Sequence, residues 1–545
     1  MNRITRYPLF FTASIALALS GSNAFAERGH PTPWSHYVEQ TLDTLIDRGT
    51  DRYGEVHSPM LMSVLDVRTL DSPASPDEVG SLIRLEGRIH RRGERGSNLW
   101  NDQPTVRALS LMTQLSGDAK YQQAADDYVA FVYANCRSSK KMLYWGTHVH
   151  WDCFRDRPGG DGDGRGPHEI LINDAQWADM FRVAPEAVQD HVDGIWQWHV
   201  HDKETGRHNR HDDNAPGREF SFSGGSFVVA FASMYRETGE EHYLDKAKLV
   251  ADWHYRNRDS KTDLPSELPG LAHEENGLYG RAFMTTLTGP HSAALLRAYE
   301  ITGDEHFYHI ATTYLKRFDE FSWQDSHEAY VGMLNLDGSP TTIDDVPRAM
   351  RSQVVGYGSS DPDPEYSVPP IGPMEIWQTT IYPLEFPIAS AQSAVYAYEL
   401  SKSHGQGGDE QLLQSALRWA TFIEANLPPK TGRTFRNRMR EALPELQGNE
   451  GTYAGNYGRA ISFYVHLYRA TGDDQYLAIA RSIAQQAVDK LFVQTAHEKD
   501  SQEQTYGLFK GHPAKPYYEA VDGVGLLLIA LLELDHPEKK LGWAF

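Results

Sequence analysis

The 545-residue chain contains only two cysteines, Cys136 and Cys153. In an oxidising compartment they could close a modest loop as one disulfide; two buried free thiols are the alternative. Beyond the N-terminus no run reaches the roughly 18 apolar residues of a membrane-spanning helix. The nearest, Val524 to Leu532, is short. Positive charge is also scarce. Fifty-two Lys and Arg face 74 Asp and Glu, a net of -22, with no long basic tract. That argues against nucleic acid as a partner. An acidic ligand would need a groove that is locally basic against an acidic exterior.

The N-terminus carries a pattern of its own. Arg3 and Arg6 precede an apolar stretch from Leu9 to Leu19, and Ala24-Phe25-Ala26 follows. This is the layout of a secretory signal peptide over 1–26, too short to span a membrane comfortably. A mature chain from about Glu27, periplasmic or secreted, with 27–545 as one domain, is the expectation. At 40% hydrophobic and 11% aromatic residues, a large ordered core is expected.

From Pro104 onward a motif recurs. Ser116-Gly117-Asp118 precedes Tyr121, Thr238-Gly239-Glu240 precedes Tyr243, Thr302-Gly303-Asp304 precedes Phe307, and Thr471-Gly472-Asp473 precedes Tyr476. Ser403-His404-Gly405 is a degenerate copy. Glycine takes the left-handed conformation that ends a helix. The acidic residue after it suits the start of the next. Gly239 and Gly303 lie one period in the sixties apart, and Gly117 lies about two such periods before Gly239. That length fits a helical hairpin with its loops. The pattern predicts an all-α fold, an (α/α) toroid of six or seven hairpins. Inserts at 136–175, 200–222, 256–280, 320–375 and 428–456 break the period. They are expected to gather as functional loops at one mouth, and a small β element is expected within 320–375.

The loop residues from Leu143 to His211 hold the chemistry. His148, Glu169 and His211 offer two imidazoles and a carboxylate, a set suited to Mn, Fe, Ni or Zn, and Arg210 stands beside the last. They span roughly one hairpin period, so successive loops could bring them together. With 24 histidines in the chain, ordinary loop histidines are the plain alternative. His150 rivals His148, and His168 rivals Glu169. The sequence DGDGRG, within the insert Asp156 to Gly166, resembles a calcium loop but lacks the distal Glu and is read as loop.

Two further groups mix cations with aromatics, as a site for an acidic sugar would. Lys510, His512 and Lys515 lie among Phe509, Tyr517 and Tyr518, and Tyr453, Tyr457 and Arg459 stand at a helix entrance. Arg433, Arg436, Arg438 and Arg440 add charge just before it. Arg281, His291, Glu375 and Trp377 are weaker candidates, more in keeping with packing or surface duty.

These segments resemble polysaccharide lyase family 2, the pectate (polygalacturonate) lyases. The matching pieces are YWGTHVHW (144–151), PHE (167–169), HVHDKETGRHNRH (199–211) and GLFKGHPAKPYYEAVDGVGLLLIALLEL (507–534). The resemblance implies an (α/α)7 barrel that cleaves polygalacturonate or its oligomers by β-elimination. It implies a transition metal, most often manganese, on His148, Glu169 and His211, with Arg210 as the base. A substrate-carboxylate clamp is the other role open to Arg210, because guanidinium normally stays protonated. The Gly- and Asp-rich insert departs from the pattern and puts the polymer in doubt. Alginate or ulvan lysis, a glycoside hydrolase pairing Glu169 with a loop Asp, or a non-catalytic sugar binder remain the rivals.

Overall fold

The computed structural model describes residues 33–73, 96–146, 148–160, 164–169, 175–271, 280–326, 328–341, 385–403, 407–427, 451–499, 502–513 and 515–545. The signal-like segment, the 433–440 arginine cluster, Glu375, Trp377 and most of the 320–375 insert lie outside them. The described residues from Trp34 to Phe545 make up one compact unit.

The fold is an (α/α) toroid. Its helices are α1 (Trp34–Arg48), α2 (Leu99–Ser116), α3 (Ala119–Asn135), α4 (Trp177–Val183), α5 (Pro185–Trp198), α6 (Ser221–Thr238) and α7 (Glu241–Arg256). They continue as α8 (Ser292–Thr302), α9 (Glu305–Ser322), α10 (Glu385–Ser403), α11 (Glu410–Asn426), α12 (Ala454–Thr471), α13 (Asp474–Leu491) and α14 (Val524–Asp535). The even-numbered helices from α2 to α14 form an inner ring, each packed against an outer odd-numbered partner. The last pair joins the two ends of the unit: α14 packs on α1 and beside α2, which closes the ring. Between α2 and α4 the closure is made by Gln103, whose side-chain oxygen accepts from the Gln176 backbone N–H at 2.7 Å. Seven hairpins are thus present among the described residues.

The two rings differ as their sequences require. Nearly every residue of α12 and α14 is buried, as an inner helix flanked on all sides demands. Outer α9 buries one stripe (Phe307, Ile310, Ala311, Tyr314, Leu315, Phe318) and exposes the rest. The recurring glycines end inner helices α2, α6, α8 and α12 with φ of 77°, 73°, 72° and 73°. Asp118, Asp304 and Asp473 cap the next helix through their side chains, while Glu240 holds that position without such a bond. Every inner-to-outer turn is short, and the long connections lead from an outer helix into an inner one. Alternating helix direction therefore puts the long loops at one mouth, where the inner helices begin.

Small sheets order those loops. Gly96–Ser97, Val149–Asp152 and Arg157–Gly160 make a three-stranded sheet, and Val64–Asp66 pairs with Tyr517–Glu519. In the 320–375 insert, Trp323–Gln324 pairs with Ala329–Tyr330. A long hairpin, Phe492–Lys499 with Gln502–Phe509, was not expected from the helical pattern. It packs on α1: Thr44 Oγ1 donates to the Gly507 carbonyl at 2.8 Å, and the Tyr506 hydroxyl to Asp47 at 2.6 Å. The thiols of Cys136 and Cys153 are free and buried. Burial pushes both thiols well above the usual range.

At the opposite end the C-terminal tail closes the ring. Trp543 stacks on His466 of α12 with ring centroids 3.3 Å apart, and Arg107 Nη2 donates to the Leu541 carbonyl at 2.9 Å. Burial would lower the His466 pKa. Glu399 at 2.9 Å and Glu533 at 3.1 Å outweigh it and raise the value to about 8. A histidine raised in this way stabilises the fold fully below its unfolded value of 6.5 and loses the effect as pH rises through about 8. We expect Tm to fall between about pH 7 and 9 in the wild type. His466→Gln should start lower and show a flatter dependence. Parallel melting curves for the two proteins would contradict the assignment.

Candidate metal centre

Three loops supply the centre. His148 immediately precedes the strand Val149–Asp152, Glu169 follows the turn at Gly164–Gly166, and His211 lies between α5 and α6. Gly146 makes the first approach possible. Its φ is +102°, and a Cβ there would meet the Glu169 carbonyl oxygen at 2.5 Å. Asn98, buried at the start of α2, donates to the Gly146 carbonyl at 2.7 Å and caps the helix by accepting from the Trp100 backbone N–H.

A buried row of side chains ties the other two loops together. Trp145 Nε1–H can only donate, so His168 Nε2, 2.5 Å away, accepts. The His168 proton is therefore on Nδ1 and goes to His199 Nε2 at 2.8 Å. His199 Nδ1 in turn donates to the Asn209 carbonyl at 3.0 Å. Burial above all, helped by neighbouring positive charge, keeps these imidazoles neutral, with His199 lowered to about 4. Asn209 then accepts from the His211 backbone N–H at 3.0 Å. Lys140 pairs with Asp212 at 2.9 Å. His168, the rival of Glu169, is thus part of the scaffold.

The ligand atoms of His148, Glu169 and His211 lie within 4.8 Å of one another. Glu169 Oε1 is 3.2 Å from His148 Nε2 and 2.8 Å from His211 Nε2. Arg210 Nε also reaches Oε1, at 3.0 Å, closer than its 3.3 Å to His211 Nε2, and the guanidinium lies over Phe220. Burial of Glu169 would raise its pKa. The hydrogen bonds from the two histidines and the charge of Arg210 overcome this and hold the carboxyl well below the usual range. Two imidazoles and a permanently ionised carboxylate converging on one small volume fit a divalent transition metal. His150, the rival of His148, is buried with its Nε2 against Gly159.

Arg218 was not singled out from the sequence. Its Nη1 lies 2.7 Å from His211 Nδ1, and it has a positive φ of 55°. Because guanidinium only donates, His211 Nδ1 accepts from Arg218. As a ligand through Nε2, His211 would carry a cation on the far side of its ring. The only cue was position: Arg218 opens the REFSFSGGSF stretch that leads into α6.

The expected substrate contacts at 453–459 and 510–515 are held by partners of their own. Lys515 is fully buried between Glu519 at 3.0 Å and Asp522 at 2.7 Å. A substrate carboxylate would have to displace both. His512 is buried against Tyr453 with ring centroids 4.8 Å apart, and Lys510 Nζ donates to the Pro513 carbonyl at 3.0 Å. Tyr453, Tyr457 and Arg459 are buried as well. Lys515, His512, Tyr453 and Tyr457 are thus packed at the entry to α12 and α14, while Arg459 borders a cavity inside the ring. Arg281 bonds Asn335 at 3.0 Å, and buried His291 bonds the Ser221 carbonyl at 2.7 Å, in keeping with packing.

The whole triad lies inside a segment with a recognisable signature. Residues 89–221 match the family described as periplasmic pectate lyase. That segment holds three of the four motifs that carry the resemblance; the fourth, 507–534, lies outside it. Solved structures of similar shape include a cellobiose 2-epimerase from Bacillus thermoamylovorans. It is 12% identical with a TM-score of 0.44, covering 93% of this chain and 98% of that one. A family 76 glycoside hydrolase from Bacteroides thetaiotaomicron is also 12% identical with a TM-score of 0.42, covering 93% and 78%. Among the described residues no helix is long and apolar enough to cross a membrane.

Calorimetric titration with MnCl2 should show one site per chain. Glu169→Ala should weaken it on the order of 100-fold or more, as expected for the loss of an ionised ligand. Arg218→Ala should tighten it. Relieving one solvent-screened cation is worth about 1 kcal/mol, or roughly fivefold in affinity. Unchanged affinity in Glu169→Ala would place the metal elsewhere.

Proposed function

We propose that this protein is an exported, metal-assisted lyase that cleaves polygalacturonate or its oligomers by β-elimination. The observation that carries the reading is the meeting of His148, Glu169 and His211, with Arg210 on the shared carboxylate, inside the segment matching the pectate lyase family. The signal-like residues 1–26 and the family's description support a periplasmic or secreted location for a single catalytic domain over 27–545.

His148, Glu169 and His211 would hold the cation, most reasonably Mn2+. When bound, such an ion supplies Lewis acidity that neutralises the uronate carboxylate and makes the adjacent C5 proton removable. Arg210 is assigned to that proton. The electron pair left at C5 forms the C4=C5 double bond, the C4–O bond breaks, and the departing oxygen is protonated from solvent. A guanidinium can act as base only where its charged form is disfavoured. Arg218, one residue beyond Gly217 and on the ring of His211, places a second cation nearby. Glu169, which pairs with Arg210 at 3.0 Å, would be shared with a bound cation.

The hydrolase alternative finds less support. A glycosidase needs a carboxyl held protonated as general acid. Glu169 is held strongly ionised.

Ultraviolet absorbance of the unsaturated product should rise when the protein meets polygalacturonate. Chelator should abolish the rise and manganese restore it. Arg210→Ala should lower kcat by about 100-fold or more, the scale of general-base catalysis, while leaving MnCl2 affinity within a few-fold. A rise only with alginate or ulvan would change the polymer. Shortened products without the double bond would replace the lyase by a hydrolase.

A further inference from the structure

A second site lies within the ring. A cavity of about 280 Å³ is enclosed by the inner helices, and none of the triad residues line it. Trp100 and Trp177 form one wall. Behind them Trp145 meets both rings, at 5.2 and 5.9 Å between centroids, and reaches the metal side through His168. A layer of three indoles therefore stands between the cavity and the loops that hold Glu169. The far wall is the C-terminal tail, with Leu541 and Trp543. Among the lining residues Glu300 and Lys540 are exposed. Glu300 stands one turn before the glycine that ends α8. Access is thus from the short-turn face, opposite the metal-bearing mouth.

The charge of this cavity runs against that of the chain. Arg107, Arg297, Arg459 and Lys540 line it, against Glu300 and Glu399; Arg297 pairs with Glu300 at 3.1 Å and Arg107 donates to the Leu541 carbonyl, so the set is positive in sum although its members are engaged. His466, which also lines it, is occupied between Glu399 and Glu533. An interior with cations in excess, in a protein of net charge -22, selects for anions. Flat indole faces beside the cations suit a sugar ring, which presents C–H groups to an aromatic and hydroxyls to its edges. The volume sits at the lower end of small-molecule sites, about 300–1,000 Å³. It admits one or two sugar units and no polymer.

We propose that the cavity is a binding site for a short acidic saccharide of one or two uronic acid units, separate from the metal centre and open to the opposite face. The choice of uronic acid rests on the lyase reading. A ligand there would bear on the metal loops through the layer that Trp100 and Trp177 make with Trp145 and His168.

The test is calorimetric titration of the full-length, chelator-treated protein with digalacturonate, with galactose as the neutral control. Binding with one-to-one stoichiometry is expected in the wild type and in Glu169→Ala. Arg297→Gln, which removes a charge without filling space, should weaken it about tenfold, the effect of losing about 1.4 kcal/mol. Ala293→Trp should abolish it by filling the cavity. Both variants should keep the chelator-sensitive cleavage of polygalacturonate. If Ala293→Trp does not fold by circular dichroism, Arg297→Gln decides. The inference is overturned by absence of binding at millimolar digalacturonate, by equal binding of galactose, or by binding that Glu169→Ala removes and Arg297→Gln leaves intact. Digalacturonate binding in a protein that cleaves no polyuronate would support the cavity and count against the lyase reading alone.

Discussion

One carboxylate oxygen, Oε1 of Glu169, is shared by His148, His211 and Arg210. An isolated buried anion is costly, and a buried cation beside it no less so. Each group therefore depends on the others being delivered to the same place, His148 and Glu169 from the connection between α3 and α4 and Arg210 with His211 from that between α5 and α6. The structure meets that demand with direct ties between the loops. Asn98 holds the Gly146 turn, the His168–His199 pair runs to Asn209, and Asn209 orients His211. Remove the toroid and these loops have no common frame.

The frame also sets the electrostatics. Inner helices begin at the mouth that carries the long loops, so their positive dipole ends face it. That local bias opposes the net charge of -22. Basic side chains are placed sparingly and where they count: Arg210 and Arg218 at the triad, and a separate set around the inner cavity. Lys515, by contrast, is enclosed between two carboxylates, Glu519 and Asp522. That cluster is a buried ion pair under a helix entrance.

Much of the architecture was readable because its signals are local. A glycine followed by an acidic residue ends one helix and starts the next whatever surrounds it, and the period of those copies gives the hairpin. The Phe492–Phe509 hairpin escaped because no repeat marks it. Its pairing is with its own return strand and its packing with α1, more than 440 residues away in sequence, as the separation of 463 between Thr44 and Gly507 illustrates. Arg218 escaped for a related reason. An arginine in a polar loop carries no mark of the ring it will touch.

By itself, then, the sequence determined the helical hairpin, its caps, and the residue types able to hold a cation, because each depends on neighbours within a turn or two or on the chemistry of a single side chain. Only the tertiary structure decided which histidine joins Glu169, that His168 belongs to the scaffold, that Lys515 is neutralised, and that the two thiols are not bridged. Those outcomes depend on distances between loops far apart in the chain. The closing of the ring through α14, α1 and α2 sets these distances, and no local pattern encodes them.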